Sequence, residues 1–600
     1  MKTIYNKKAL CILAMLGVIS GVNAQEDKTK DKNLNRQMTL EREYDPSVQD
    51  ANKVNTLPKV KEPVAKKMPI SYSDFTYATD PEKEISLLPS GNIMTDIDYN
   101  KRRGYLNLAG GTYLNLNGDI GYHILSTKTD KLNIFFSHRS TNGNVKYSQM
   151  EDEKVKAKIN DNLGGLNFKH IFRRAALDMG VKYGYSAFNY YGLPYAPASS
   201  QTLEEQLKIA DRETNQADQN INVRLGVSSV EGAPMGYDIR LNYNNFSHKY
   251  GISKEEDGAT EHTMNVAFDF FAPFNGNQKV GVDGDVRYFN YALPDSKTFA
   301  AQTDSTVYKL KNHTTASLSP YYKIEGDNFH VKLGARVMLV AGLKDFAGKK
   351  IYASPDIAAD VAVADKTVLY AKAGGQLKNN SMYDVAQINR YADPTRGIAP
   401  SRNWLDTKIG LKCGEAPGFW FDIFGGYKIT ANDYFFITDN VIGEGEFGNL
   451  AHVMPDIETK QLFVGANLKY SYKKLVDVQL KGVYNNWKAS KGDSWESTTD
   501  SSVEPLGKPE MELNAGITVR PIKNLSAGLD YYLATGRKAD IGEIIEMNNI
   551  NELNLSGSYN FNDTFSLYLK LNNVLCQKYE LYYGYPMQSF NAQLGVNINF

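Results

Sequence analysis

The sequence predicts an all-β protein: an antiparallel transmembrane β-barrel of about 22 strands, preceded by a short, mostly extended amino-terminal segment. Three observations predict this fold. Apolar and polar residues alternate with a period of two along many short runs, these runs recur through most of the chain, and the connections between them are alternately short and long. Such alternation gives a strand one apolar and one hydrated face, and in lipid only a closed barrel pairs every strand edge.

The first residues predict a secretory signal, residues 1–24, that is removed on export. Three lysines precede an apolar run from Ala9 to Val22, and the run ends in the cleavage-like triplet Val22-Asn23-Ala24. A run this short does not cross a ~30 Å hydrocarbon layer as a helix. Because Cys11 lies inside the run, we expect cleavage after Ala24 and no lipid anchor.

Composition narrows the class of protein further. Loss of the signal leaves 65 basic and 68 acidic side chains, a net charge of about −3, so no nucleic-acid partner is expected. Past the signal no apolar stretch approaches 18 residues, which argues against helical spans. The mature chain keeps only Cys413 and Cys576, which we predict to be small apolar fillers and not a disulfide.

Residues 25–103 form a leader before the barrel. Its first part, residues 25–70, is charged and punctuated by Pro46, Pro58, Pro63 and Pro69, a composition that does not build a packed core. Three interpretations stay open for it. It is an extended periplasmic tail, a segment that binds an envelope protein partner by adding a strand or filling the lumen, or a small ordered subdomain.

Residues 104–600 are predicted to form the barrel. The even number of strand-like runs is the number that bacterial single-chain barrels require. The 22 predicted strands lie near 104–112, 115–126, 131–141, 163–173, 175–190, 220–229, 237–250, 261–272, 279–292, 314–325, 329–342, 354–364, 367–378, 404–414, 419–431, 460–472, 475–489, 509–521, 525–538, 548–561, 564–575 and 588–600.

The connections between these strands predict the topology. Tight turns at Lys128-Thr129-Asp130, Asn275-Gly276-Asn277, Asp327-Asn328 and Lys523-Asn524 alternate with long polar stretches at 191–219, 293–313, 379–403, 432–459 and 490–508. Short periplasmic turns and long external loops produce this rhythm. A ring of 22 strands is about 40–45 Å wide, so something must occlude it. The leader, inward-folded external loops or another protein could fill this role. The stretches 191–219 and 432–459, the first with a helix-like segment from Leu203 to Asp211, are long enough to fold inward.

The carboxyl-terminal hairpin resembles that of the TonB-dependent receptors. The matching residues are Asn572-Asn573-Val574-Leu575, Lys578-Tyr579, Gly584-Tyr585-Pro586 and the strand from Gly595 to Phe600. The resemblance implies a 22-stranded barrel in the outer membrane. It also implies that the apolar face of the last strand is the signal read by the outer-membrane assembly machinery; that face consists of Phe590, Leu594, Val596, Ile598 and Phe600. The Gly-Arg that often follows the proline is absent, and Gln588-Ser589 stand near its place.

The leader departs from that family. Its members carry a globular plug of well over a hundred residues and a TonB box, whereas about 79 residues separate Gln25 from the first strand here. The segment from Met38 to Pro46, with Ala51-Asn52-Lys53 and Leu57-Pro58 after it, resembles the leader of plugless, receptor-like barrel proteins of Bacteroidota. We therefore expect neither a plug domain nor a TonB box.

No catalytic or metal-binding motif is found in the sequence. The eight histidines are scattered singly, without an H-E-x-x-H motif, and no Gly-x-Ser-x-Gly elbow occurs. Asp283 and Asp285 share an inner face with Arg287, which predicts an ion-pair ladder in the lumen. Glu204 and Glu205 are neighbours on the helix-like segment and point about 100° apart, which indicates a solvated helix face. We expect no enzyme, cofactor or metal site.

Two functions remain open at this stage. The first is an outer-membrane channel or transporter of the porin type, in which charged lumen residues and infolded loops set selectivity. The alternative is a non-transporting scaffold subunit of an outer-membrane protein complex, concerned with envelope assembly or biogenesis. The sequence names neither a solute nor a partner other than lipid and the assembly machinery.

Overall fold

The computed structural model describes residues 102–148, 153–193, 214–230, 235–295, 299, 309–343, 350–416, 418–438, 446–448, 450–492, 495 and 501–600. These residues form one closed antiparallel β-barrel of 22 strands. The signal, the leader up to residue 101 and the helix-like segment with Glu204 and Glu205 lie outside the described residues.

Each predicted strand has a counterpart in the barrel. The strands are Gly104–Gly111 (β1), Leu116–Ser126 (β2), Asp130–Lys146 (β3), Lys154–Ile171 (β4), Ala175–Asn189 (β5), Asn215–Ser229 (β6), Gly236–His248 (β7), Thr260–Phe274 (β8), Gln278–Ala292 (β9), His313–Glu325 (β10), Phe329–Ala341 (β11), Ile351–Pro355 continued by Ile357–Ala364 (β12), Thr367–Lys378 (β13), Ser401–Ala416 (β14), Phe419–Thr438 (β15), Ala451–Tyr472 (β16), Val476–Lys491 (β17), Met511–Ile522 (β18), Leu525–Thr535 (β19), Ile550–Asn560 (β20), Phe565–Asn572 (β21) and Asn591–Asn599 (β22). The predicted antiparallel barrel of 22 strands is therefore confirmed.

The barrel closes where β1 pairs with β22, in register from Tyr105 opposite Asn599 to Gly111 opposite Gln593. The last residue completes the ladder, because the backbone N–H groups of Arg103 and Gly104 both donate to the carbonyl of Phe600 at 2.7 Å. No edge of the main sheet is left unpaired at this seam, as a lipid environment demands.

The two faces of the wall differ as the alternation predicts. Large apolar side chains such as Leu108, Ile120, Leu333, Val464 and Leu594 are exposed on the outer face, where lipid covers them in the membrane. None of the described helices is long and apolar enough to span a bilayer.

The short and long connections lie at opposite ends of the barrel, which we name the turn end and the loop end. At the turn end, no connection is longer than the six residues between β6 and β7. The loop end carries the long connections, including 190–214, 379–400 and 573–590. The terminal strand β22 runs from the loop end to Phe600 at the turn end.

One predicted loop is wrong: most of the stretch 432–459 is strand. β15 continues to Thr438 and β16 begins at Ala451, and the extensions pair with each other, for example Phe436 opposite Val453. The polar residues of the stretch satisfy their backbone groups in this ladder, while Phe435 and Val453 are buried. Its polar composition predicts a loop, but whether a segment forms a strand depends on the neighbouring strand as well as on local sequence.

The seam generates a prediction about assembly. Deletion of Phe600 should lower the amount of folded protein in the membrane several-fold, because it removes the carbonyl that accepts two hydrogen bonds and an apolar side chain on the outer face. The measurement is the heat-modifiable band in gel electrophoresis of membrane fractions. Asn599→Ala, on the inner face of the same strand, is the control and should assemble nearly normally; equal levels for the deletion and the wild type would contradict the assignment.

The two ends generate a prediction about topology. An epitope tag inserted at 496–500, between β17 and β18, should be labelled from outside intact cells, because it lies in a loop-end connection. A tag between Lys523 and Asn524, in a two-residue connection at the turn end, should be labelled only after lysis. If only the second tag were labelled in intact cells, the orientation assigned to the barrel would be wrong.

Candidate functional site

Among the described residues, one loop-end connection, residues 379–400, crosses the lumen; we call it the crossing loop. It joins β13 to β14, yet its Arg390 contacts Asp161 on β4, ten strands from β14 in a ring of 22. Strands that far apart lie on opposite walls, about 40–45 Å from each other. The crossing loop therefore spans the opening at the loop end.

The first half of the crossing loop is a short helix, Met382–Ile388 (α1), with a sequence-encoded start. The Ser381 hydroxyl accepts a hydrogen bond from the Asp384 N–H, and the Asp384 carboxylate accepts one from the Ser381 N–H, which together form a capping box. The buried carboxylate of Glu261 on β8 accepts a third bond, from the Met382 N–H at 2.6 Å. The helix start is thus attached to the wall at β8.

The tip of the crossing loop is attached to β4 and β5. Both terminal nitrogens of Arg390 donate to the Asp161 carboxylate, at 3.1 and 3.0 Å, in a bidentate pair. The guanidinium also lies 5.6 Å from the centre of the Phe188 ring. The side chains of Arg390 and Asp161 are 28% and 23% exposed, so water screens the pair only in part.

Aromatic packing joins the crossing loop to two other loop-end segments. Tyr391 stacks on Tyr585 with a ring separation of 3.9 Å and meets Tyr191 edge-on at 5.6 Å. Tyr585 belongs to the connection 573–590, which we call the strap. A Cβ on Gly192 would lie 2.5 Å from the Tyr585 ring, so this close approach requires glycine. The crossing loop, the strap and residues 190–193 pack together, and we call this group the lid.

The strap is itself fastened to the barrel. Arg537 donates to the backbone carbonyls of Glu580 and Leu581, at 2.9 and 3.2 Å. The Tyr579 hydroxyl donates to the Glu552 carboxylate of β20 at 2.6 Å, and the Tyr582 hydroxyl donates to a carbonyl of the crossing loop. Of the residues that carry the family resemblance, Lys578-Tyr579 and Gly584-Tyr585-Pro586 therefore lie in the lid, whereas the strand from Gly595 to Phe600 lies in the wall.

The second half of the crossing loop is held by β16. The Asp393 N–H donates to the Ala451 carbonyl at 2.9 Å, and the Asp393 carboxylate lies 3.5 Å from Nδ1 of His452. Burial alone would raise the pKa of this carboxyl, but His452, Thr395 and Arg396 outweigh it and lower the pKa to about 2. Asp393 is therefore an anchor that stays ionised across the physiological pH range.

Below the lid the lumen wall is polar and rich in ion pairs. Asp283 lies 3.6 Å from both Lys332 and Arg336, and Asp285 lies 3.8 Å from Arg287, so the predicted lumenal ladder exists. Within the part of the chain that the structure describes, no group of side chains is suited to hold a metal ion. The wall offers water, charge and hydrogen bonds to a solute.

The lid leaves a cavity of about 100 Å³ beside the strap. It is lined by residues from β15, β19, the crossing loop and the strap, among them Tyr434, Tyr532 and Tyr582. A space of this size admits water or a very small molecule. The cavity therefore lies where the crossing loop, the strap and the wall meet.

The structure identifies the infolded segments differently from the sequence. The stretch 432–459 is mainly strand, and 191–219 is described only at its ends, of which Tyr191 and Leu193 pack in the lid. The centre of the lid consists of the crossing loop and the strap, neither of which was predicted to fold inward. A local signal for α1 was present in the spacing of Ser381 and Asp384 and in the apolar Met382 and Val385.

The structure also shows where the two cysteines and the apolar residues of the terminal strand lie. Cys576 is exposed in the strap, so its prediction as an apolar filler is wrong, whereas Cys413 on β14 is half-buried. The apolar residues of the terminal strand lie on the outer wall, away from the lid, with Phe590, Leu594 and Phe600 exposed. Their role in assembly stays a prediction.

The link between the crossing loop and β4 generates a prediction about dynamics. Arg390→Gln should speed amide hydrogen exchange in residues 382–393 about tenfold, because loss of a half-buried bidentate pair costs about 1–3 kcal/mol. Hydrogen-exchange mass spectrometry of the detergent-purified barrel measures it. Arg240→Gln is the control, since Arg240 pairs with Asp238 on its own strand and should leave the loop unchanged.

Comparison with known proteins places the fold among outer-membrane receptors. No protein-family model and no curated protein matches the chain. Similar solved structures include a mutant of the ferric enterobactin receptor from Pseudomonas aeruginosa (12% identity, TM-score 0.59, 83% of this chain and 80% of that chain). The siderophore receptor PirA from Acinetobacter baumannii (10% identity, TM-score 0.60) and the copper transporter OprC (12% identity, TM-score 0.56) are each covered over 80% of their length by 83% of this chain. At this identity the likeness shows the fold, and the closed barrel with its apolar belt is that of an outer-membrane protein.

Proposed function

We propose that this chain is an outer-membrane channel or transporter, related to the TonB-dependent receptors, in which the crossing loop takes the place of a separate plug domain. The observation that carries the proposal is the attachment of the crossing loop to the far wall through Arg390 and Asp161. A wide polar lumen closed at one end by a non-covalent lid is the arrangement expected of a gated passage.

The crossing loop can move without opening the barrel. Lys378 and Ser401, at its two ends, are paired directly across β13 and β14. Apart from a bulge between Gly374 and Gln376, the ladder between these strands continues up to the loop, so movement of residues 379–400 leaves the pairing of β13 with β14 intact. The contacts that must break include the Arg390 pair, the bond to Glu261, the pairing with β16 and the tyrosine stack. The hydrogen bonds from Asn432 to the end of the loop and from Tyr582 to its helix must break as well.

A second candidate, a scaffold subunit, is favoured by the density of the lid. Its aromatic side chains are buried and contact one another, as in the interior of a domain. They include Tyr190, Tyr191, Tyr391 and Tyr585. A lid packed in this way suits a barrel that stays closed and presents surfaces to partner proteins. In that case residues 25–70 are the segment we expect to bind an envelope partner.

Replacement of residues 380–399 by a four-residue Gly-Ser linker separates the two functions. The linker rejoins β13 and β14 where they already pair, so the barrel should fold and show large, steady conductance in planar bilayers, whereas the intact protein should conduct little. Deletion of residues 344–348 from another loop-end connection is the control and should leave conductance at the intact level.

A second variant tests whether the leader closes the lumen. If the linker variant conducts no more than the intact protein, removal of residues 26–90 as well tests closure by the leader. Conductance that appears only in this double variant would show that the leader closes the lumen. No conductance in either, together with loss of co-purifying proteins on removal of the leader, would contradict the channel and support the scaffold.

A further inference from the structure

Four lysines gather on the lumen wall below the lid; we call them the lysine patch. They are Lys372 on β13, Lys408 and Lys412 on β14 and Lys481 on β17. Lys372 stands directly opposite Lys408, and Lys412 stands opposite Asp422 on β15. The register continues through Asn467 on β16, which pairs with both Asp422 and Lys481. Even spacing along the strands keeps these side chains on one face.

The patch carries more positive charge than its surroundings neutralise. Among the described residues, Asp422 is the only carboxylate within 4.0 Å of any of the four ammonium groups, and it reaches only Lys408. Its oxygens also accept hydrogen bonds from the Tyr370 hydroxyl at 2.8 Å and from Asn467 at 3.3 Å. Lys372, Lys412 and Lys481 are therefore left without an ion-pair partner in this part of the wall.

Stability alone does not account for this arrangement. Like charges directly opposite each other on neighbouring strands, as at Lys372 and Lys408, are destabilising. Elsewhere in the lumen the opposite solution is used, since Lys332 and Arg336 are both paired with Asp283 and Asp356. Lys332 also stands opposite a lysine, Lys323, but two carboxylates neutralise it. Among the described residues, the lysine patch therefore differs from the paired region in lacking nearby carboxylates other than Asp422.

Aromatic rings under the patch hold two of the ammonium groups at the wall. Lys408 lies 3.6 Å from the centre of the Phe424 ring, and Lys412 lies 4.5 Å from that of Tyr370. Glycines make room for the rings: a Cβ on Gly410 would come within 2.5 Å of the Tyr370 hydroxyl, and one on Gly465 within 2.6 Å of Phe424. Cation–π contacts of this kind orient a lysine without neutralising its charge.

The patch is too wide for a single small ion. Lys408 and Lys412 are four residues apart on one strand, about 13 Å, and β13 to β17 span about 19 Å across the wall. Ammonium groups spread over that area match a solute that carries several negative groups. Oxyanions such as phosphate are the partners that lysine side chains bind as point charges.

We propose that the lysine patch is a binding site for solutes with two or more phosphate groups, which names the solute class of the channel proposed above and in that respect rests on it. Lys372, Lys412 and Lys481 bind the anionic groups, and Lys408 together with Asp422 fixes the centre of the patch. The site lies below the lid, so binding does not require the crossing loop to open.

Binding is tested on the intact protein in detergent, by isothermal titration calorimetry with tripolyphosphate and with fructose 1,6-bisphosphate. The triple variant Lys372→Gln, Lys412→Gln and Lys481→Gln should weaken binding about tenfold or more, because each lost charge removes a contact to phosphate. Affinity of the wild type should also fall as potassium chloride is raised, since salt screens these charges.

The matched control changes three lysines that are already paired. Lys279→Gln, Lys460→Gln and Lys538→Gln remove the same net charge, but these lysines neutralise Glu325, Glu458 and Glu504. Binding in this variant should stay within about twofold of the wild type, as expected when only long-range charge is altered. If the triple patch variant does not fold, Lys481→Gln alone should weaken binding by about threefold, in proportion to one lost charge.

The outcomes decide the proposal independently of conductance. Binding of tripolyphosphate alone assigns the site to inorganic polyanions, and binding of both probes extends it to phosphorylated organic solutes. No binding to the wild type, or equal loss in the patch variant and the paired-lysine control, would overturn the site. Because the measurement needs no open pore, absence of conductance in both the linker variant and the double variant contradicts the channel and leaves the binding result unaffected.

Discussion

The whole structure depends on one constraint: every backbone hydrogen-bonding group of the sheet must find a partner where no water is available. The sheet meets it by closing β1 on β22, with the carbonyl of Phe600 taking up the N–H groups of Arg103 and Gly104. Closure with 22 strands fixes the width of the ring at about 40–45 Å, and that width creates the need for a lid.

Because the lumen is too wide for side chains to fill, the buried apolar core lies at the loop end of the barrel and not in the middle of the wall. In the described residues, the buried apolar clusters consist of strand ends and connections at the loop end, such as Phe188 with Tyr391 and Tyr585, or Phe435 with Ile457 and Leu506. The middle of the wall carries apolar residues outward and polar residues inward. The hydrophobic effect thus holds the lid together, while hydrogen bonds and lipid hold the wall.

The lid and the lumen wall divide the chemistry between them. The lid combines aromatic packing with a few polar anchors, among them the Arg390–Asp161 ion pair and the contact between Asp393 and His452. The wall beneath it is charged, with a paired region around Asp283 and an unpaired one at the lysine patch. In the proposed function the first surface governs whether the passage is open, and the second governs which solutes are favoured within it.

The sequence by itself determined the number of strands, their approximate positions and the alternation of turns and loops. These features could be predicted because a period of two and turn residues are local properties, readable within ten or so residues. The same local reasoning failed for 432–459, where polar residues form strand extensions that only the pairing of β15 with β16 stabilises.

Only the tertiary structure decided which segments close the lumen and which charges lie unpaired. The pairs Arg390 with Asp161 and Tyr391 with Tyr585, and the grouping of Lys372, Lys412 and Lys481, join residues distant in the chain, whose proximity depends on register and on the curvature of the closed sheet. A single sequence does not encode these contacts in its periodicity, since a loop free to fold inward and a loop exposed to solvent have the same polar composition.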